Sequence, residues 1–106
     1  MGTKGFNFQN LNRNNNYNRY FTELAENTFI FTVRWNDYCK CAFLTITDYE
    51  DNDIVTGVAL VNGLKIRHNK LPYNLLFTQI NSETYEPTID NISEEFVIMY
   101  DDSEGE

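Results

Sequence analysis

Three runs of aromatic and β-branched residues between Asn27 and Val61, parted by polar turn formers, constrain this chain to a β architecture. In the first run, Asn27 to Trp35, the side chains of Phe29, Phe31, Val33 and Trp35 fall on one face of a strand. Ile30, Thr32, Arg34 and Asn36 fall on the other. The second run, Ala42 to Asp48, sets Ala42, Leu44 and Ile46 against Phe43, Thr45 and Thr47. The third, Ile54 to Val61, is apolar on both faces, the pattern of a strand covered on both sides. The spacing predicts a three-stranded antiparallel meander at the centre of the fold.

Shorter segments extend that meander. Tyr20–Leu24 reads as a strand that turns at residues 25–27 into the first run, and Asn36-Asp37 forms the tip of the next hairpin. Asp48 to Asp53 carries four acidic groups in six residues but lacks the glycine and late glutamate of a calcium loop. It is expected to be a turn whose Asp and Asn side chains bond the local backbone. Gly57 marks a bulge, and Asn62-Gly63 predicts a two-residue hairpin returning through Leu64–Arg67. Leu75–Ile80 and Phe96–Tyr100 are further strands. Between them Pro87 bars a central strand. One helical turn is expected near Ile89–Ile92, with Thr88 or Asp90 as its cap. This Ser82–Ser93 excursion is expected to cross from one sheet or end to the other.

The fold class predicted is all-β: a single small antiparallel sandwich or barrel of about seven strands with meander hairpins. Residues 1–19 form an Asn-rich N-terminal arm, in which Phe6 and Phe8 support at most a short β segment. Residues 20–100 form the β domain, and 101–106 an acidic disordered tail. Eight Phe, seven Tyr and one Trp predict a core built from rings.

Charge is spread unevenly. Residues 1–70 hold all 8 Lys and Arg against 7 acidic residues, a net of +1; residues 71–106 hold 9 acidic residues and no basic one, a net of −9. That third argues against nucleic-acid binding through phosphate contacts, which need Lys and Arg. No apolar run approaches the roughly 20 residues of a membrane span, and the first residues lack the apolar stretch of a signal peptide. Cys39 and Cys41, if extended, point to one side about 6–7 Å apart, which suits neither a disulfide nor a two-ligand zinc site. They are expected to stay reduced and structural. With one histidine, no Gly-rich phosphate cradle and no metal-ligand cluster, no catalytic constellation is legible, and neither enzyme activity nor a cofactor is predicted.

Five pieces of the chain, in order, carry a resemblance. They are Val33-Arg-Trp-Asn36, Thr45-Ile-Thr-Asp48, Asp53 to Gly63, Leu75–Ile80, and Pro87 to Ile92 leading into Phe96–Tyr100. Together they are similar to the baseplate plug family of contractile-tailed bacteriophages. The resemblance implies a small β domain of the virion tail baseplate, made in a host bacterial cytoplasm. Such a domain packs near the central hub and the end of the tail tube in several copies. It implies protein partners, the hub and tail-tube proteins, and brings no catalytic or ligand residues.

Within that expectation Arg13, Tyr17, Arg19 and Tyr20 are the candidate partner-binding residues, the two arginines gripping an acidic neighbour. The acidic C-terminal third is expected to face the tail lumen. The alternative is a small acidic phage-encoded inhibitor, a DNA mimic that binds a host protein.

Overall fold

The computed structural model describes residues 3–81 and 83–101. Eight strands are found there: β1 (Thr3–Phe6), β2 (Tyr17–Leu24), β3 (Asn27–Asn36), β4 (Cys41–Asp48), β5 (Asp53–Ala59), β6 (Leu64–Ile66), β7 (Leu75–Gln79) and β8 (Phe96–Asp101). A single short helix, α1 (Ile92–Glu95), precedes β8. The strands make two four-stranded sheets, ordered β2-β3-β4-β5 and β1-β8-β7-β6, with every pairing antiparallel. The domain is thus a sandwich and not a closed barrel. Its N- and C-terminal strands lie side by side.

The predicted meander is present as β3-β4-β5, with β2 added before it. Phe29, Phe31, Val33 and Trp35 all turn into the core, as do Ala42, Leu44 and Ile46. From the other sheet come Ile66, Leu75, Phe77, Phe96 and Ile98. Rings knit the two layers: Phe6 meets Phe31 edge-on at 5.0 Å, and Phe8 stacks on Phe77 at 6.2 Å, which itself stacks on Phe96 at 5.3 Å. Such pairs add to the stabilisation from apolar burial.

Four local expectations are corrected. The third run is not covered on both sides: β5 is a sheet edge, with Thr56 and Gly57 exposed, Ile54 and Leu60 buried in the core, and Val55 and Val58 packed partly against it. Its bulge is real, for the register slips between Leu44/Val58 and Ile46/Val55. Gly57 supplies the positive φ (+60°) there and donates its N–H to Thr45 Oγ1 at 3.0 Å. Asn62-Gly63 does not close a hairpin. It is a corner that carries the chain from one sheet to the other, with Gly63 at φ +89° and its N–H bonded to Phe77 O at 2.8 Å. The excursion after β7 does not change sheets, because β7 and β8 are paired neighbours. Its helical turn falls at Ile92–Glu95, with Asn91 at the N-cap position and no side-chain cap bond.

Residues 7–16 make the other crossing between sheets. Phe8 and Leu11 are buried in the shared core, and β1 pairs with β8. The asparagines organise this crossing by bonding backbone, as short amides do in turns. Asn12 and Asn15 form an isolated antiparallel bridge, Asn12 Oδ1 accepts from Asn14 N at 2.9 Å, and Asn15 Nδ2 donates to Asn10 O at 2.9 Å. The Asp48–Asp53 turn is built as expected, with Asp48 Oδ1 accepting from Glu50 N at 2.8 Å and Asn52 N at 2.9 Å. These backbone donors, Asn52 first, hold the Asp48 carboxyl below its usual range. Of the expected acidic tail, residues 102–106 lie outside the described residues.

Candidate functional site

Strand alternation gives the β2-β3-β4-β5 sheet an outer face, and register fixes which side chains share it. Three rows cross the strands. The first is Tyr17–Arg34–Phe43, the second Arg19–Thr32–Thr45, and the third Phe21–Ile30–Thr47–Asp53. Each row brings side chains within the reach of cross-strand pairs. The face is a shallow open trough of about 670 Å³, lined by Tyr17, Arg19, Arg34, Phe43 and the threonines, with Asp51 and Asp53 at its rim. Ile30 lies in this face and outside the core cluster, yet is only 3% exposed, so it gives the face an apolar floor.

Its exposed chemistry is made of rings and guanidinium groups. Phe21 stands 64% exposed on β2, a strand whose outer edge has no neighbour in the sheet. Arg19 lies 5.9 Å from the Phe21 ring centroid, and its Nη2 is 3.6 Å from Asp51 Oδ1. Arg34 has no ion-pair or hydrogen-bond partner among the described residues, and its flanking neighbours in register are two rings. Exposed rings and guanidinium groups around a small apolar floor are the side chains enriched at protein interfaces. Among the described residues no group of three or more His, Cys, Asp or Glu is placed to hold a metal ion.

Of the four residues singled out in the sequence, two meet on this face: Tyr17 and Arg19, two positions apart on one strand. Tyr20 has the opposite parity and turns inward. Its ring lies 5.3 Å from that of Phe8, and its hydroxyl donates to Gln9 O at 2.8 Å. Burial first of all pushes that phenol above its usual range. Arg13 is on the inter-sheet crossing and forks onto Asp90 of its own chain. Arg34, Phe21 and Phe43 were missed as site residues. The period-two pattern already puts Arg34 and Phe43 on the faces away from the core, but only the register aligns them with Tyr17.

At the sheet corner a second cluster is bonded within the chain. Asn62 Nδ2 donates to Glu83 O at 2.8 Å and Tyr85 O at 3.0 Å, while its Oδ1 accepts from Gln79 N at 3.2 Å. Gln79, the one buried polar side chain among the described residues, donates from Nε2 to the Tyr85 hydroxyl at 2.9 Å. The Tyr85 hydroxyl in turn donates to Glu95, a bond that raises the phenol's pKa. These bonds tie the β7–β8 connection to the corner.

A family model described as Cyanophage baseplate Pam3 plug gp18 matches residues 8–104 of the chain. No curated protein matches the chain, nor does any solved structure.

Proposed function

The chain belongs to the family described as Cyanophage baseplate Pam3 plug gp18, and from that membership we propose that it is a plug packed at the central hub and the end of the tail tube. It acts there through protein–protein contacts and not by catalysis, in several copies. Family membership carries the coarser part: a structural protein of the phage tail baseplate with protein partners.

The observation that supports a docking role is the outer face of the β2-β5 sheet. Tyr17, Phe21, Arg19 and Arg34 are presented together there, with Arg34 unpaired among the described residues. This face takes an acidic surface of a hub or tube protein, with Arg34 as the central charge and Phe21 as the apolar anchor. The net charge of −9 over residues 71–106 suits a surface turned to the tail lumen, where it repels DNA. Nothing favours the inhibitor reading. Three of the carboxylates it needs are engaged internally: Glu86 by Asn62 N, Asp90 by Arg13 and Glu95 by Tyr85.

Co-elution of the purified chain with hub and tail-tube proteins tests the proposal. The unchanged chain is expected to form a stable complex, and a Phe21→Asp/Arg34→Glu variant to lose it while keeping its circular dichroism spectrum. Equal complex formation by both proteins overturns the assignment of this face. The absence of any complex with the unchanged chain overturns the hub and tube location.

A further inference from the structure

We propose that Cys39 and Cys41 are a redox-active dithiol that closes to an intrachain disulfide at the tip of the β3–β4 hairpin. An extended backbone would hold these thiols apart, but the hairpin tip is not extended. Asn36 Oδ1 accepts from Tyr38 N at 2.8 Å and Cys39 N at 3.3 Å, which curls the chain after β3. Lys40 then adopts a left-handed conformation, φ +57°. That one residue folds its two neighbours toward each other and brings their Sγ atoms to 2.6 Å.

This separation discriminates between the two uses of a C-x-C pair. Two thiolates on one tetrahedral zinc, with Zn–S near 2.3 Å, hold their sulfurs about 3.8 Å apart. A disulfide holds them at about 2.05 Å. The pair at 2.6 Å is nearer to the disulfide separation than to that of two thiolates across a metal. Both thiols are free, Cys39 is exposed, and Cys41 is half-buried. The Cys41 thiol is pushed up to about 11, first by desolvation and then by its neighbour Cys39.

The chemistry balances with a small-molecule disulfide as oxidant. The Cys39 thiolate attacks one sulfur of oxidised glutathione and expels a glutathione thiolate, leaving a mixed disulfide on Cys39. The Cys41 thiol gives its proton to solvent, and its sulfur attacks Cys39 Sγ and expels the second glutathione. The cysteine pair loses two electrons, and one oxidised glutathione becomes two thiols. A bond that closes so short a loop removes little chain entropy from the unfolded state. Its effect is therefore on the shape of the hairpin tip. That tip adjoins the trough, since Cys41 is in register with Asn36, a residue of the trough lining. The inference stands independently of the plug reading.

The test uses the full chain, reduced with dithiothreitol, desalted, exposed to oxidised glutathione, and trapped with iodoacetamide. Intact mass is expected to show no alkylated thiol and a loss of two hydrogens, with the chain monomeric on a non-reducing gel. A Cys41→Ser variant is expected to retain one glutathione on Cys39. Two alkylated thiols in the unchanged chain after exposure overturn the proposal, as does retained glutathione or a disulfide-linked dimer.

Discussion

Arg13 and Asp90, 77 positions apart in the chain, are joined by a forked ion pair, with Nε on Oδ1 and Nη2 on Oδ2 both at 2.9 Å. The pair ties the crossing between β1 and β2 to the connection between β7 and β8. It also changes what Arg13 can do for a partner. A neighbour's carboxylate would have to displace Asp90, whereas Arg34 is open. Both side chains of the pair are about two-thirds exposed, at 67% and 65%, so water and salt screen it.

The pair has a pH signature. The hydrogen bonds from Arg13, ahead of its charge, hold the Asp90 carboxyl below its usual range, and the same bonds raise the guanidinium. A lowered folded-state value means stability present above the unfolded carboxylate range and lost as pH falls through the folded value. The difference in thermal midpoint between the unchanged chain and Arg13→Gln is expected to be small at neutral pH. It should shrink as the solution is acidified below the ordinary carboxylate range, and shrink also in high salt. A difference that stays constant into acid counts against the pair as its source.

Residues 3–11 are part of the sandwich, and their loss is expected to cost the fold. Removing them strips β1 from the β8 edge and takes Phe8 and Leu11 out of the core. The truncated chain should bind a hydrophobic dye and aggregate through its uncovered strand edge. A truncated chain that stays monomeric with an unchanged thermal midpoint would show that this strand is dispensable.

Two phenylalanines on neighbouring strands separate fold from docking. Phe31 is fully buried between the sheets, and its replacement by alanine is expected to cost about 3–5 kcal/mol in denaturant unfolding. Phe21, on the outer face, should change stability by no more than about 0.5 kcal/mol when made alanine. Its loss should register in partner binding instead. Equal destabilisation by the two substitutions would contradict the outward placement of Phe21.

Asn62 holds the corner by both ends of its amide, so Asn62→Ala leaves several backbone groups of the corner without their partner. The expected cost is about 1–3 kcal/mol. Amide exchange should quicken first at Gln79, whose N–H loses Asn62 Oδ1 as its acceptor, before the β3 core. Uniform acceleration across both sheets would mean that the corner does not act as a local staple.

The strands were legible wherever one face is apolar and the other polar, as in Phe29 to Asn36. The Asn62-Gly63 corner was not, because the same left-handed turn chemistry serves a hairpin and a change of sheet equally well. The Asn-rich stretch looked like an arm because its amides are polar. Their backbone bonds, and the burial of Phe8 and Leu11 among them, become visible only when both sheets are in place. For the candidate face, Tyr17 and Arg19 could be singled out as large side chains among asparagines, yet Tyr20, one parity step away, points inward.

Residue order by itself determined the β class, the ring-filled core and which side of each central strand is buried. Those follow from local alternation and from the free energy of removing apolar area from water. Only the tertiary structure decided which strands share a sheet beyond the central meander, that the first and last strands pair, that Arg13 is occupied, and that the two thiols meet. Each depends on chain closure over long separations or on one left-handed residue, and neither is encoded in the type of any single side chain.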